Sequence, residues 1–162
     1  MLTTKQTSFL KTFTVLFTII LALGLFFFAG CNEEFDSATK LNVNQPNTTE
    51  ANLKHTAITV KEPTDEIYVS WTIATDANTN ATHYSLVVLD KDKNALTTTN
   101  GLTSVTVYDQ DKKSLGTATT ETPGNYNLAT VLGDNKIAAG TYYAILKFAK
   151  EGTYNLSIQL AA

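Results

Sequence analysis

Large apolar residues alternate strictly with polar residues near the C-terminus of this 162-residue chain. The apolar set is separated by single polar residues: Tyr154, Leu156, Ile158 and Leu160 against Asn155, Ser157 and Gln159. Successive side chains of a β-strand point to opposite faces, so a period of two predicts a strand with one buried and one solvated face. The same period recurs earlier in the chain, and it restricts the fold to sheet architectures.

Two segments predict core strands. From Ile67 to Ile73 every second residue is large and apolar, and Trp71 is the expected core anchor. Residues 84–89 are apolar on both faces, which is typical of a central strand covered on both sides. Residues 90–94 then supply the polar residues of a turn.

The remaining strands follow the same pattern. They are predicted at residues 102–108, 115–120, 126–132, 141–148 and 153–160. The last two should form a terminal hairpin with one wet face, joined by the short link at residues 149–152. With no helix expected after residue 31, residues 55–162 predict an all-β sandwich of about seven to nine antiparallel strands.

The segment Ile137-Ala-Ala-Gly-Thr-Tyr-Tyr143 resembles the approach to the penultimate strand of immunoglobulin-like and fibronectin type III-like domains. In these domains a tyrosine hydroxyl commonly bonds back to the backbone of the preceding turn, an arrangement called the tyrosine corner. The resemblance implies an immunoglobulin-like antiparallel β-sandwich with Tyr142 or Tyr143 in that role. It implies no activity, because this architecture hosts many functions.

Residues 1–30 have the organisation of an export signal. Lys5 and Lys11 make the start positive, and residues 13–30 carry no charge. The end of this run, Phe28-Ala29-Gly30-Cys31, resembles the lipobox of bacterial lipoproteins. The resemblance implies removal of residues 1–30 and lipid attachment to Cys31. Two alternatives stay open: an uncleaved signal anchor, or an ordinary signal peptide that leaves a free thiol.

Residues 31–54 are polar, and their apolar residues are too sparse for a continuous core face. We therefore predict a flexible tether that holds the domain about 25 to 30 Å from the lipid. The alternative is that Leu41 and Val43 begin a first strand. An Asp directly after the lipidated Cys would resemble a signal that retains a lipoprotein in the inner membrane. This chain has Asn32 at that position, which favours the outer membrane.

The charged-residue composition limits the classes of partner that the protein is expected to bind. All twelve basic residues are lysine, against fifteen acidic residues, for a net charge of −3. Without an arginine fork or a basic surface, a nucleic-acid partner is not expected. Cys31 is the only cysteine, so the mature domain has no disulfide and depends on its core for stability.

The sequence contains few residues in patterns typical of a metal site or an active site. Asp90, Asp92 and Asn94 share the spacing that opens a calcium loop, but Ala95 stands where such a loop needs glycine. His55 and His83 have no Met or Cys to complete a copper or zinc site in the mature chain. Neither a serine elbow nor a glycine-rich phosphate cradle is present in the sequence. We predict no metal, no cofactor and no enzymatic activity.

The sequence thus predicts a non-enzymatic envelope lipoprotein. It would be anchored to membrane lipid through acylated Cys31, facing the periplasm or the cell exterior, and would act as an interaction or accessory module for an envelope protein partner. One alternative is a surface adhesin that binds a carbohydrate or small ligand through exposed tyrosines. A less favoured alternative is periplasmic metal handling through His55 and His83.

Overall fold

The computed structural model describes residues 33–74, 83–97, 101–122, 124–128, 131 and 138–161. The predicted signal peptide at residues 1–30 and the predicted lipid attachment residue, Cys31, lie outside the described residues. The chain divides at residue 35, and the unit Phe35–Ala162 contains every strand given below.

Eleven strands and two short helices occur in the described part of the chain. The helices are α1 (Glu33–Asp36) and a 3-10 helix (Glu50–Asn52). The strands are β1 (Thr39–Lys40), β2 (Val43–Asn44), β3 (Thr56–Val60), β4 (Ile67–Ile73), β5 (His83–Asp90), β6 (Leu102–Tyr108), β7 (Ser114–Thr117), β8 (Thr119–Thr122), β9 (Asn125–Asn127), β10 (Gly140–Phe148) and β11 (Gly152–Ala161).

The strands form two sheets. Sheet A has the order β1-β4-β10-β6-β7, and sheet B has the order β2-β11-β5-β9-β8, with β3 also paired to β11. In sheet A, Val69 lies opposite Ala144, and in sheet B, Leu86 lies opposite Ile158. These pairs are antiparallel, whereas β1 runs parallel to β4 and β2 runs parallel to β11. The predicted all-β sandwich is confirmed, although its sheets are mixed and not purely antiparallel.

The core lies between the two sheets and is lined by the period-two faces of their strands. Trp71 is 1% exposed. Its ring stacks on Tyr142 of the same sheet, with 6.0 Å between ring centroids, and meets Tyr84 of sheet B edge-on at 6.3 Å. The prediction that Trp71 anchors the core is confirmed, and its ring joins the two layers.

A tyrosine corner is present at the start of β10. The hydroxyl of Tyr142 donates a hydrogen bond to the carbonyl oxygen of Ala138 at 3.1 Å. This confirms the role for Tyr142, whereas Tyr143 points to the outer face of sheet A. Tyr154 repeats the arrangement in β11 by donating to the carbonyl oxygen of Lys150 at 2.8 Å.

The predicted terminal hairpin is wrong. β10 lies in sheet A and β11 lies in sheet B, so residues 149–151 carry the chain from one sheet to the other. Phe148 and Tyr154, on either side of this link, stack with 4.3 Å between ring centroids. Both strands turn their apolar faces to the same core. Their residues therefore alternate in the same way whether the link between them forms a hairpin or crosses from one sheet to the other.

Two extended stretches of chain each contribute one strand to sheet A and the next strand to sheet B. Residues 39–44 form β1 in sheet A and then β2 in sheet B, and residues 114–122 form β7 in sheet A and then β8 in sheet B. The single strand predicted at residues 115–120 is therefore split, with buried Ala118 between its halves. Nine of the eleven described strands, β3 to β11, lie within residues 55–162, for which seven to nine were predicted. β9 is shorter than predicted and ends at Asn127.

The flexible tether predicted for residues 31–54 is wrong for residues 35–54. Leu41 is 3% exposed and lies between β1 and β2, and its N–H donates to the carbonyl oxygen of Ser70 at 2.7 Å. Val43 belongs to β2, so the alternative of a first strand at these residues describes the chain better. A continuous apolar face was not needed, because isolated apolar residues such as Leu41 and Phe35 each occupy a separate site on the sandwich.

Leu41→Ala tests whether this segment is part of the folded unit. Removing a buried leucine side chain should lower the free energy of unfolding by about 3 kcal/mol. Urea unfolding of a chain lacking residues 1–31 measures the change. Lys40→Ala, at an exposed position of β1, should change the value by no more than about 0.5 kcal/mol. Equal, negligible effects of both substitutions would mean that the segment is a tether after all.

Candidate functional site

A groove of about 400 Å³ lies on the outer face of sheet B. Its floor is formed by Val87 and Leu89, which point outward from β5, and by Ala95 beyond the following turn. Gln159 of β11 and Asn125 of β9 place side-chain amides beside this floor. An apolar floor with a few polar groups around it is the usual composition of a ligand site.

One wall of the groove is the loop between β2 and β3. Both strands pair with the same edge of β11, β2 in parallel and β3 in antiparallel orientation, so the chain between them must leave the sheet. The loop contributes Glu50, Leu53 and His55 to the groove.

Asn44 holds this wall in place. It is 5% exposed, and its side-chain oxygen accepts a hydrogen bond from the N–H of Lys54 at 2.9 Å. Its side-chain amide donates to the carbonyl oxygens of Lys54 and Ile158, both at 3.4 Å. A buried amide with these partners fixes the end of the loop against β11.

The opposite wall depends on Gly124. This residue has a φ of +75°, and a Cβ placed on it would lie 2.7 Å from the carbonyl oxygen of Val88. The Gly124 carbonyl accepts a hydrogen bond from the N–H of Val88 at 2.8 Å. Only glycine combines this backbone angle with so close an approach to β5.

The turn after β5 supplies Lys93 to the groove. One carboxylate oxygen of Asp90 accepts the N–H groups of Asp92 and Asn94, both at 2.8 Å, and Lys93 takes a φ of 65°. These bonds, the one from Asn94 foremost, lower the pKa of Asp90. The spacing that resembled a calcium loop therefore builds a turn.

The turn after β6 uses the same chemistry. One oxygen of Asp109 accepts the N–H groups of Asp111 and Lys113, both at 2.9 Å, and Lys112 takes a φ of 61°. Residues 90–94 and 109–113 are similar in sequence, because each turn needs an acceptor at its first residue and a left-handed residue at its fourth.

The rim of the groove carries opposite charges. Glu50 and Lys93 are both exposed, and neither forms an ion pair with a residue in the described ranges. Among those residues no group of three or more His, Cys, Asp and Glu side chains is arranged to hold a metal ion. An anion, a cation and two amides above an apolar floor suit a polar organic ligand or a protein side-chain cluster.

Two buried polar atoms lie beside the groove without a partner in the described part of the chain, the Nδ1 atom of His55 and the Oγ atom of Ser157. Thr56 lies opposite Leu156 in the β3–β11 register, so the next residues of the two strands, His55 and Ser157, are neighbours. The sequence had suggested His55 only as the first residue of the domain and, with His83, as part of an incomplete metal site. His83 begins β5, but its side chain lies outside the described residues.

Although His55 and Ser157 are neighbours, the Ser157 hydroxyl is not an accessible nucleophile. Ser157 is 0% exposed, so a substrate cannot reach its hydroxyl without opening the sheet face. An unpartnered buried hydroxyl has a cost in stability.

The seven tyrosines divide between the core and the outer face of sheet A. All seven lie within the described residues. Four are buried in the sandwich: Tyr84, Tyr126, Tyr142 and Tyr154. The other three pack around Phe35 on the outer face of sheet A: Tyr68, Tyr108 and Tyr143. None of the seven lines the groove on sheet B.

No protein-family model and no curated protein matches this chain. Within the described residues, no helix is both long enough and apolar enough to span a bilayer.

The stability of the domain should depend on pH through His55. Burial and, second, the Lys93 ammonium lower the pKa of His55 below its ordinary value of 6.5. The unfolded chain then binds a proton more readily, so the free energy of unfolding should fall as the pH drops from about 6.5 towards the folded-state pKa. Urea unfolding across this range measures the slope.

His55→Gln should flatten that slope. His83→Gln is the matched control, since these are the only two histidines of the chain. A slope removed by His83→Gln and kept in His55→Gln would contradict the assignment.

Proposed function

We propose that this protein is a lipid-anchored envelope protein that works as a non-enzymatic binding module, with the groove on sheet B as its contact site. The anchoring part of the proposal is supported by the apolar run that ends Phe28-Ala29-Gly30-Cys31. The binding part rests on one observation: Glu50 and Lys93 line a groove with an apolar floor, and neither forms an ion pair within the described ranges.

The groove supports binding because its walls are set before any partner arrives. Asn44 fixes the loop on one side, and Gly124 lets β9 approach β5 on the other. Preformed walls reduce the ordering cost of association. Opposite charges on the rim would orient a partner and select against mismatched ones.

A carbohydrate or small-ligand adhesin is the second candidate. It is favoured by the amides of Asn125 and Gln159, which stand beside the floor and offer both donors and acceptors to hydroxyl groups. The tyrosines give it no support at this groove, because four are buried in the core and the other three lie on the outer face of sheet A.

The anchor is tested by fatty-acid labelling of the full chain in a bacterial host. The native chain should take up labelled palmitate and partition into detergent, and Cys31→Ala should lose both properties. Asn32→Ala, next to the attachment residue, is the control that should keep them. A native chain that takes up no label would remove the lipid anchor from the proposal.

The groove is tested with a photo-crosslinking amino acid at Ala95, on its floor. In intact cells this position should give a discrete cross-linked product, and Lys93→Glu in the same chain should remove it. A crosslinker at exposed Thr59, on the same sheet outside the groove, is the control and should give none. A protease-sensitive product identifies a protein partner, and a glycan-bearing product supports the adhesin.

Equal products at both positions, or turnover of ester, glycoside or peptide substrates by the purified protein, would contradict a binding module that acts through this groove.

A further inference from the structure

Phe35 is seated on the outer face of sheet A. It is 8% exposed, and its ring meets three tyrosines edge-on. The centroid distances are 5.2 Å to Tyr68, 5.0 Å to Tyr108 and 5.4 Å to Tyr143. These tyrosines come from β4, β6 and β10, the three central strands of the sheet. We call the three residues the tyrosine cradle.

A polar contact lies beside the cradle. The Lys112 ammonium contacts a carboxylate oxygen of Asp36, the residue after Phe35, at 2.7 Å. The Lys112 side chain is 19% exposed and the Asp36 side chain is 68% exposed, so the contact is shielded from water only on the Lys112 side. The start of the folded unit is thus held on this face by an aromatic contact and an ion pair.

The length of chain before Phe35 limits where a lipid on Cys31 can lie. Phe35 is the fourth residue after Cys31, and an extended chain spans at most about 3.6 Å per residue, so the two positions are at most about 14 Å apart. This step rests on the proposed lipid anchor. A chain so short cannot act as a long tether, and it leaves from the outer face of sheet A.

We propose that the outer face of sheet A is a membrane-contact surface, held against a phospholipid bilayer by the short link from Cys31 to the tyrosine cradle. The composition of the face suits the polar–apolar boundary of a bilayer. The cradle tyrosines are partly exposed, as is Ile145 between them, and amphipathic tyrosine rings are enriched at that boundary.

The opposite side of the sandwich is then turned away from the lipid. The groove lies on the outer face of sheet B, so it faces the compartment from which an envelope partner would approach. The anchor therefore sets which face meets the membrane and which meets the partner.

The test uses the full lipidated protein in vesicles of phosphatidylethanolamine and phosphatidylglycerol. Cys31 is the only cysteine and is acylated, so an introduced cysteine is the single free thiol. Thr72→Cys places a fluorophore on the outer face of sheet A, and Thr59→Cys is the matched exposed position on sheet B. Quenching by nitroxide-labelled headgroups should be severalfold stronger at residue 72, because packed sheets lie about 10 Å apart.

Two further variants show whether Phe35 and the short link cause the difference. Phe35→Ala, with its fold checked by Trp71 fluorescence, should bring the quenching at the two positions close together, and Phe35→Tyr should preserve the difference. An insertion of about ten glycine and serine residues between Asn32 and Glu33 leaves Phe35 in place but lengthens the link. It should also remove the difference.

Equal quenching at both positions of a fully lipidated chain, or stronger quenching at residue 59, would overturn the membrane-contact surface while leaving the lipid anchor intact. An unchanged difference after the insertion would overturn the role of the short link. Failure of the proposed anchor is recorded separately, as the absence of labelled palmitate, and would overturn the surface assignment together with it.

Discussion

The two sheets are held together chiefly by the packing of side chains between them, and the rest of the structure depends on that contact. The only cysteine lies at position 31, before the folded unit, so no disulfide joins the layers. Trp71, Tyr84 and Tyr142 meet between the sheets. Because the inner faces of both sheets form the core, contacts outside the core are made by the outer faces. The outer face of sheet A packs against Phe35, and the outer face of sheet B carries the groove.

Much of the fold was predictable because strand patterning is local. The alternation around Trp71 predicted the bounds of β4, and the apolar stretch at residues 84–89 predicted those of β5 to within one residue at each end. The terminal link was predicted wrongly because a hairpin and a crossing between sheets leave the same pattern in the sequence. The ordered segment before β3 was missed for a related reason: Phe35 and Leu41 are single apolar residues that fill separate sites, and no period marks them.

The groove was beyond sequence reasoning. Its walls depend on Asn44 meeting Lys54 and on Gly124 approaching Val88, and neither contact has a local signature. His55 carried a faint signal as one of only two histidines, but its neighbour Ser157 became apparent only from the register of β3 on β11. The polar face of β11, which the alternation predicted to be simply wet, includes this fully buried serine.

The two stretches that contribute strands to both sheets also determine which strands lie at the sheet edges, where neighbouring copies of the protein could pair. Residues 39–44 run along one side of the sandwich and residues 114–122 along the other, and each pairs with both sheets. The outermost strands they supply have at most four residues: β1, β2, β7 and β8. Short edges are poor templates for intermolecular strand pairing. The proposed lipid anchor would concentrate the protein in two dimensions, and short edge strands would then limit strand pairing between neighbouring copies.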